Sequence, residues 1–503
     1  MQRASQHDVA RNAQRTTHNA HHTSFFAQDI QRAMDKSRAL IARVADTLQT
    51  ALYKQITIKH SEDFANVLTA DDIVKAYIRS RGLILYGGIS IDYALRLKGD
   101  KLYADDDRPD YDFWSPANIA TAHELVNMID AQFSGNVTVY GYHAKHAQTM
   151  RVSVGSNNWV ADISYLPAAL AETMPTLTFD GMRFVHPHYQ FADLHSSLSF
   201  PYDGAPAEVV FARWRKDLER YAKLWDAYPL PAPRTAPRLE FASVAIARET
   251  CEHALVTGFA AYSLYYALVA ATVPEAQLRD AHIPAARGPV IRGASFLFDV
   301  PFDIIEVVTH RDAEHLPGIP RDFATFAPLL ELLNMSWEGP HFVAYSIAGQ
   351  FMSYASFKLE EVRVRAVSIH GLMKHFVACY LRAKYFPQAL TKDSAHTGID
   401  PDIFATFYVA CRKLAELARD TDAAARFAPQ LNVFGSRAPP LHDTVKMYGD
   451  IARNIGEDDI PALVLPPKSI KPGKPLPSFD YASCPFMRFS AEQIISIAAP
   501  TKK

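Results

Sequence analysis

The chain of 503 residues has only four cysteines, Cys251, Cys379, Cys411 and Cys484, and none forms a CxxC pair. That excludes a zinc ribbon and a disulfide scaffold and points to a reducing compartment. There is no apolar run of the roughly 18 uncharged residues that a membrane-spanning helix needs. The opening stretch MQRASQHDVARNAQRTTHNAHHTS has no apolar centre, so it does not read as a secretory signal. Its His7, His18, His21 and His22 follow no ligand spacing and read as part of a polar tail. Excess charge is missing too. At a net charge of −2 nothing advertises nucleic acid globally, and any basic groove has to be local. A hydrophobic content of 49% with 21% charged residues fits a soluble globular protein, and the length predicts two to four domains.

What is present divides as follows. Residues 1–24 read as a disordered tail. Residues 25–80 form a helical region, because apolar positions recur at three and four spacing in FFAQDIQRAMDKSRALIARVADTLQTAL. Residues 81–228 alternate short strands (GLILY, DYDFW, VTVYGY, TMRVSVG, WVADISYL) with helices, the last being AEVVFARWRKDLERYAKLWDAY. PLPAPRTAPR, 229–238, is a proline-rich linker. Residues 239–460 read as mostly helical, with one strand-like segment, FDIIEVVTH. Residues 461–503 form a proline- and lysine-rich tail.

Two features of the 81–228 region are costly unless they serve chemistry. Gly87 and Gly88 sit between a strand and a helix, where backbone N–H groups can approach a phosphate and the helix N-terminus favours an anion. Ser90, in the first helical turn, could add a hydroxyl donor. No GK[ST] follows, so this is not a P-loop; read alone, the pair is equally a tight turn. Further on, Asp110 and Asp112 alternate with Tyr111 and Phe113, so strand geometry turns both carboxylates to one face. Such a pair makes a hard-oxygen site suited to magnesium or manganese, or else a solvated acidic edge. Asp162 stands among Val160, Ala161 and Ile163, where a carboxylate is expensive unless paired or metal-bound. If its strand neighbours DYDFW, three carboxylates can hold two divalent cations beside a triphosphate cradled by the glycines. Asp105, Asp106 and Asp107 read as a solvated loop.

Arg213, Lys216, Arg220 and Lys223 share one face of the helix at 207–228 and are either phosphate or RNA-backbone contacts or a solvated face. Further along, ALVTGFAAYSLYYAL repeats the strand–Gly–helix outline with Gly258, and PFDIIEVV, with Asp303, stands where DYDFWSP stands. This is either a degenerate second copy or chance.

YGGISIDYAL, PDYDFWSP, HAQTMRVSV, ADISYLP and RWRKDLERYAKLWDAYPL together resemble the poly(A) polymerase catalytic subunits of large nucleocytoplasmic DNA viruses, the poxvirus and African swine fever virus lineages, within the nucleotidyltransferase superfamily of DNA polymerase beta. The resemblance covers about residues 80–230. It implies an α+β fold: a polymerase-beta-like domain with a helical N-terminal region and a second, degenerate, largely helical nucleotidyltransferase-like domain. It implies template-independent addition of AMP from ATP to the 3′ end of mRNA, with two magnesium or manganese ions on Asp110, Asp112 and Asp162 and the nucleotide on Gly87, Gly88 and Ser90. A homodimer or a separate processivity subunit, and a place in the viral factory of the host cytoplasm or in the virion, follow from the same likeness. Rival readings are a nucleotidyltransferase acting on a protein or small molecule and a non-catalytic scaffold.

Overall fold

The computed structural model describes residues 63–144, 149–155, 158–166, 171–172, 174–199, 207–231, 241–248, 251, 254–301, 305–309, 342–345, 352–385, 401–429 and 433–434. Both tails, the 25–62 region, most of the proline-rich linker and Asp303 lie outside the described residues. Among the described residues, 63–199 and those from 216 onward belong to one compact unit, while 207–215 group separately.

The first sheet is built around the two segments singled out above. Helix α1, Asp63–Arg81, buries Val67, Ala70, Val74, Tyr77 and Ile78 on one side. Gly82, at φ +61, ends it: its neighbour Leu83 donates back to the Ile78 carbonyl at 3.1 Å, a Schellman closure that turns the chain into strand β1, Ile84–Leu85. Helix α2, Gly87–Arg96, follows at once. Strand β2, Tyr111–Ser115, helix α3, Asn118–Phe133, and strands β3, Val139–His143, β4, Thr149–Val154, and β5, Asn158–Tyr165, come next. A hairpin of β6, Thr176–Phe179, and β7, Met182–Val185, leads into helix α4, Pro187–Ser199. The sheet order is β3-β4-β5-β2-β1-β7-β6. Buried Val152, Val154, Ala161, Ile163 and Phe113 form its inner face. Helix α5, Ala207–Ala227, carries the basic stripe.

The second half adds strands to the helices expected of it: nine strands lie among its described residues. Strands β8, Phe241–Ala247, β10, Val290–Arg292, and β11, Ser295–Pro301, make a small sheet. The larger sheet is made of β9, Ala254–Val256, β12, Ile305–Thr309, β13, Phe342–Tyr345, β14, Met352–Leu359, β15, Val362–Val367, and β16, Val433–Phe434, in the order β13-β12-β9-β15-β14-β16. Helices α6, Gly258–Ala270, α7, Glu275–Asp280, α8, Ile369–Tyr385, and α9, Pro401–Ala418, complete it.

The topology decides the echo between the halves. In the first sheet β1 runs antiparallel to β2 and parallel to β7, β2 runs parallel to β5, and β6 pairs antiparallel with β7. In the second, β9 runs antiparallel to β12 and parallel to β15, β12 runs parallel to β13, and β14 pairs antiparallel with β15. The helix entries match as well. Tyr86 at φ −135, ψ −171 precedes Gly87 at φ +67, and Thr257 at φ −133, ψ −172 precedes Gly258 at φ +60. Five strands of the second half, β9, β12, β13, β14 and β15, thus repeat the order and directions of β1, β2, β5, β6 and β7 in the first. Helices α4 and α8, each following the equivalent strand, pack on one another, and His195 on α4 lies 3.1 Å from His370 on α8, Nδ1 to Nδ1.

Candidate active site

Strand register brings the three aspartates together. Asp112 on β2 pairs with Asp162 on the parallel neighbour β5, and Asp110 stands just before β2. One carboxylate oxygen from each of Asp110, Asp112 and Asp162 lies within 4.8 Å of the others. Asp162 is buried, and the other two keep an accessible edge. Loss of surrounding water, and then repulsion from the neighbouring carboxylates, holds Asp110 above the usual carboxylate range and Asp112 well above it. Asp193 on α4 adds a smaller repulsion to Asp112. Three hard oxygen donors that oppose each other's ionisation fit magnesium or manganese.

The glycines meet these carboxylates directly. Tyr86 N–H donates to the Asp112 carbonyl at 2.9 Å, which pins the turn against β2. A Cβ on Gly87 would collide with the Asp112 carboxylate and come within 3.0 Å of its Cβ, and the φ of +67 already favours glycine. The helix that begins here has Tyr86 as its N-cap, with no side-chain cap hydrogen bond. A Cβ on Gly88 would strike the Tyr103 hydroxyl and lie 2.9 Å from Arg220 Nη2.

Tyr103 reaches the turn because of Asp92. This carboxylate, buried in α2, accepts from the backbone N–H of Leu102 at 2.8 Å and of Tyr103 at 3.0 Å, and it pairs with Arg96. The stretch 97–109, between α2 and Asp110, is thus a loop folded back over the helix start. In that loop Asp105, as expected of a solvated segment, is exposed, and it pairs with Arg96 and Lys101.

The basic stripe divides. Arg220 Nη2 donates to the Tyr103 hydroxyl at 2.7 Å, and its charge partly offsets the upward push on Asp112. Arg151 and, after it, the exposed Lys216 act in the same sense on Asp110. Lys223 turns to the loop, with Nζ 3.1 Å from Asp100 and from the Lys101 carbonyl. Arg213 lies in the separately grouped 207–215 segment. Ser90, expected to offer a hydroxyl to a phosphate, is instead fully buried and accepts from Gln190 Nε2 on α4 at 3.0 Å.

One partner was not singled out from the sequence. Arg151, directly across from Asp162 on β4, donates Nε to Oδ1 at 2.6 Å and Nη2 to Oδ2. It supplies the positive charge that a carboxylate in an apolar strand requires. An arginine in TMRVSV, beside a strand carrying a lone aspartate, was the available signal. Further along the same face, Tyr86 stacks on Trp114 at 4.8 Å and bonds the Ser164 hydroxyl at 2.6 Å, which bonds Thr149 at 2.7 Å.

The second copy lacks this set. Leu85 pairs with Phe113 and Val256 with Val307, so Glu306 stands at the register of Asp112. Its neighbour on β13 is Val343 where Asp162 would be, and the Asp110 position falls on Ile304, outside the described residues.

Residues 72–204 match the family model described as "Poly(A) polymerase catalytic subunit". A protein of African swine fever virus (isolate Pig/Kenya/KEN-50/1950), named for such a subunit, is 40% identical over 214 residues, which is 42% of this chain and 44% of that protein. One from Acanthamoeba polyphaga mimivirus with the same name is 25% identical over 256 residues, 48% of this chain and 42% of that one. The chain thus spans less than half the length of these relatives. The crystal structure of the Megavirus polyadenylate synthase has the same fold, with a TM-score of 0.59 and 16% identity over 85% of this chain and 86% of that one. The resemblance drawn from the motifs, and the α+β fold it implies, are borne out.

Proposed function

We propose that the chain is a template-independent polynucleotide adenylyltransferase, which adds AMP from ATP to the 3′ end of mRNA. The observation that carries this reading is the convergence of Asp110, Asp112 and Asp162 beside the Gly87–Gly88 turn. The names of the viral relatives support the choice of adenylate and RNA.

In this reading the three carboxylates hold two magnesium or manganese ions, which when bound would activate the attacking hydroxyl and stabilise the departing pyrophosphate. The chain does the rest by placement. The N–H groups at the start of α2 and the Arg220 guanidinium take the triphosphate, with Lys216 reducing the charge around Asp110. The RNA 3′-oxygen forms a bond to the α-phosphorus, the bond from that phosphorus to the bridging oxygen breaks, pyrophosphate leaves and the hydroxyl proton is released. The second copy, with Glu306 and Val343 at the registers of Asp112 and Asp162, shapes and supports the site. A companion, either a second copy of the chain or a processivity subunit, and action in the viral factory or virion follow from the same reading.

The test is extension of a 5′-labelled single-stranded RNA by the purified full chain, one nucleoside triphosphate at a time, with magnesium or manganese. Lengthening with ATP alone is expected. Indifference among the four nucleotides, or AMP passed to a protein or small molecule in place of RNA, would overturn the reading.

A further inference from the structure

The carboxylate cluster has two flanks. On one lie the glycine turn, Arg220 and Lys216. On the other, strand register extends the same row outward: Asp112 pairs with Asp162, Asp162 with Arg151 on β4, and Arg151 with Tyr142 on β3. All four side chains therefore share one face of the sheet. Trp159 should not belong to that face, because it is an odd number of residues from Asp162 on the same strand. A register shift corrects this. Val152 pairs with Ala161 but Ser153 pairs with Trp159, which leaves Val160 as an extra residue. Val160 and Ala161 are both fully buried, and Trp159 is re-aimed to the carboxylate side.

There it lies in an unusual position for so large a ring. Trp159 is 44% exposed, and the Arg151 guanidinium sits 3.9 Å from its ring centre while bonded to Asp162. Further along the face, the rings of Tyr140 and Tyr142 stack at 5.7 Å and 25°. Aromatic faces beside a cation are what sequence-tolerant binding of unpaired bases uses. The placement suits an acceptor strand. A reacting 3′-hydroxyl at the carboxylates puts its own base one sugar away, and one guanidinium separates Asp162 from the Trp159 ring.

We propose that Trp159, backed by Arg151 and followed by Tyr140 and Tyr142, is the stacking platform for the 3′-terminal bases of a single-stranded RNA acceptor. The inference rests on the reading of the site as a nucleotidyltransferase, and it moves RNA contact from the α5 stripe to the opposite flank. A stacking contact is not ionic, so it is separable from phosphate contacts by salt.

The test measures binding of a 5′-labelled oligoadenylate to the full chain by fluorescence anisotropy over a salt series, with ATP binding measured separately. Trp159→Ala, at an exposed position, is expected to weaken RNA binding about 5- to 150-fold per lost stack at every salt concentration. The log–log salt slope and ATP affinity should not change, and Trp159→Phe should recover most of the binding. Unchanged RNA affinity in Trp159→Ala would overturn the platform and leave the exposed ring to a protein contact. A flattened salt slope would overturn it too, by showing a phosphate site. If the wild-type chain binds RNA through Trp159 yet transfers no AMP, the adenylyltransferase reading fails while the platform stands.

Discussion

The most informative perturbation compares the same substitution in the two copies of the fold. Gly87 and Gly258 open equivalent helices at φ +67 and +60. Alanine in the left-handed region costs about 1–2 kcal/mol at either position. At Gly87 the new Cβ also collides with the Asp112 carboxylate, which has to leave its place. An off-rotamer side chain adds roughly 0.5–1.5 kcal/mol, so Gly87→Ala should lose about 1.5–3.5 kcal/mol and Gly258→Ala about 1–2. The chemistry should separate them much further. Moving a metal-holding carboxylate by about 1 Å costs on the order of 100-fold in rate. Gly258→Ala changes a helix start in the copy where Glu306 and Val343 stand at the registers of Asp112 and Asp162. Urea unfolding supplies the stabilities, and single-adenylate addition, under conditions where both variants are folded, supplies the rates. The reasoning is refuted if Gly87→Ala keeps wild-type activity, or if Gly258→Ala loses as much.

Other consequences are as direct. Because the Asp112 carboxyl is raised in the folded state, folding takes up protons there and stability falls as pH rises above the unfolded value of 3.8. Asp112→Asn should therefore raise the melting temperature of the metal-free protein at pH 8 but not at pH 4, while abolishing nucleotide addition. Arg220→Gln should raise the apparent KM for ATP about 10- to 100-fold through loss of a charged hydrogen bond and leave RNA affinity unchanged; Lys223→Gln, bound to the Asp100 loop, should change neither. Burial lowers His370 from 6.5 to about 4. The unfolded chain then binds a proton that the folded one refuses, so stability should fall as pH drops from about 6.5 to about 4, by on the order of 3 kcal/mol, and His370→Gln should flatten that fall in calorimetric scans. Glu306→Gln and Asp303→Asn should leave the rate of a single addition unchanged.

The site was readable because its residues break local rules. A glycine pair at a strand exit, alternating aspartates on an aromatic strand and an aspartate inside an apolar one each cost stability, and together they pointed to one place. The same logic applied to Asp92, an acid within ISIDYAL, and to Arg151 within TMRVSV, would have found the loop anchor and the counter-charge. The β6–β7 hairpin was also within reach: Asp180 and Gly181, both at positive φ, are the DG pair that two-residue hairpin loops favour. Its equivalent in the second half has Glu360 at φ 51 and no glycine, so its turn left no such mark. Nor was the reach of Trp159 legible, because it depends on one extra residue that only strand pairing exposes. The α5 stripe was legible as helical spacing, but what Arg220 and Lys223 meet is set by the loop that Asp92 holds.

The central claim is that Asp110, Asp112 and Asp162 act as one nucleotidyl-transfer site. It is tested most directly by counting products, in parallel, from α-labelled ATP and single-stranded RNA with the wild-type chain and with Asp162→Asn. The account predicts one pyrophosphate released for each AMP joined to the RNA 3′ end by the wild type, and neither product from a folded Asp162→Asn chain. Extension by that variant at a rate near the wild type's, or release of ADP and phosphate in place of pyrophosphate, would contradict it.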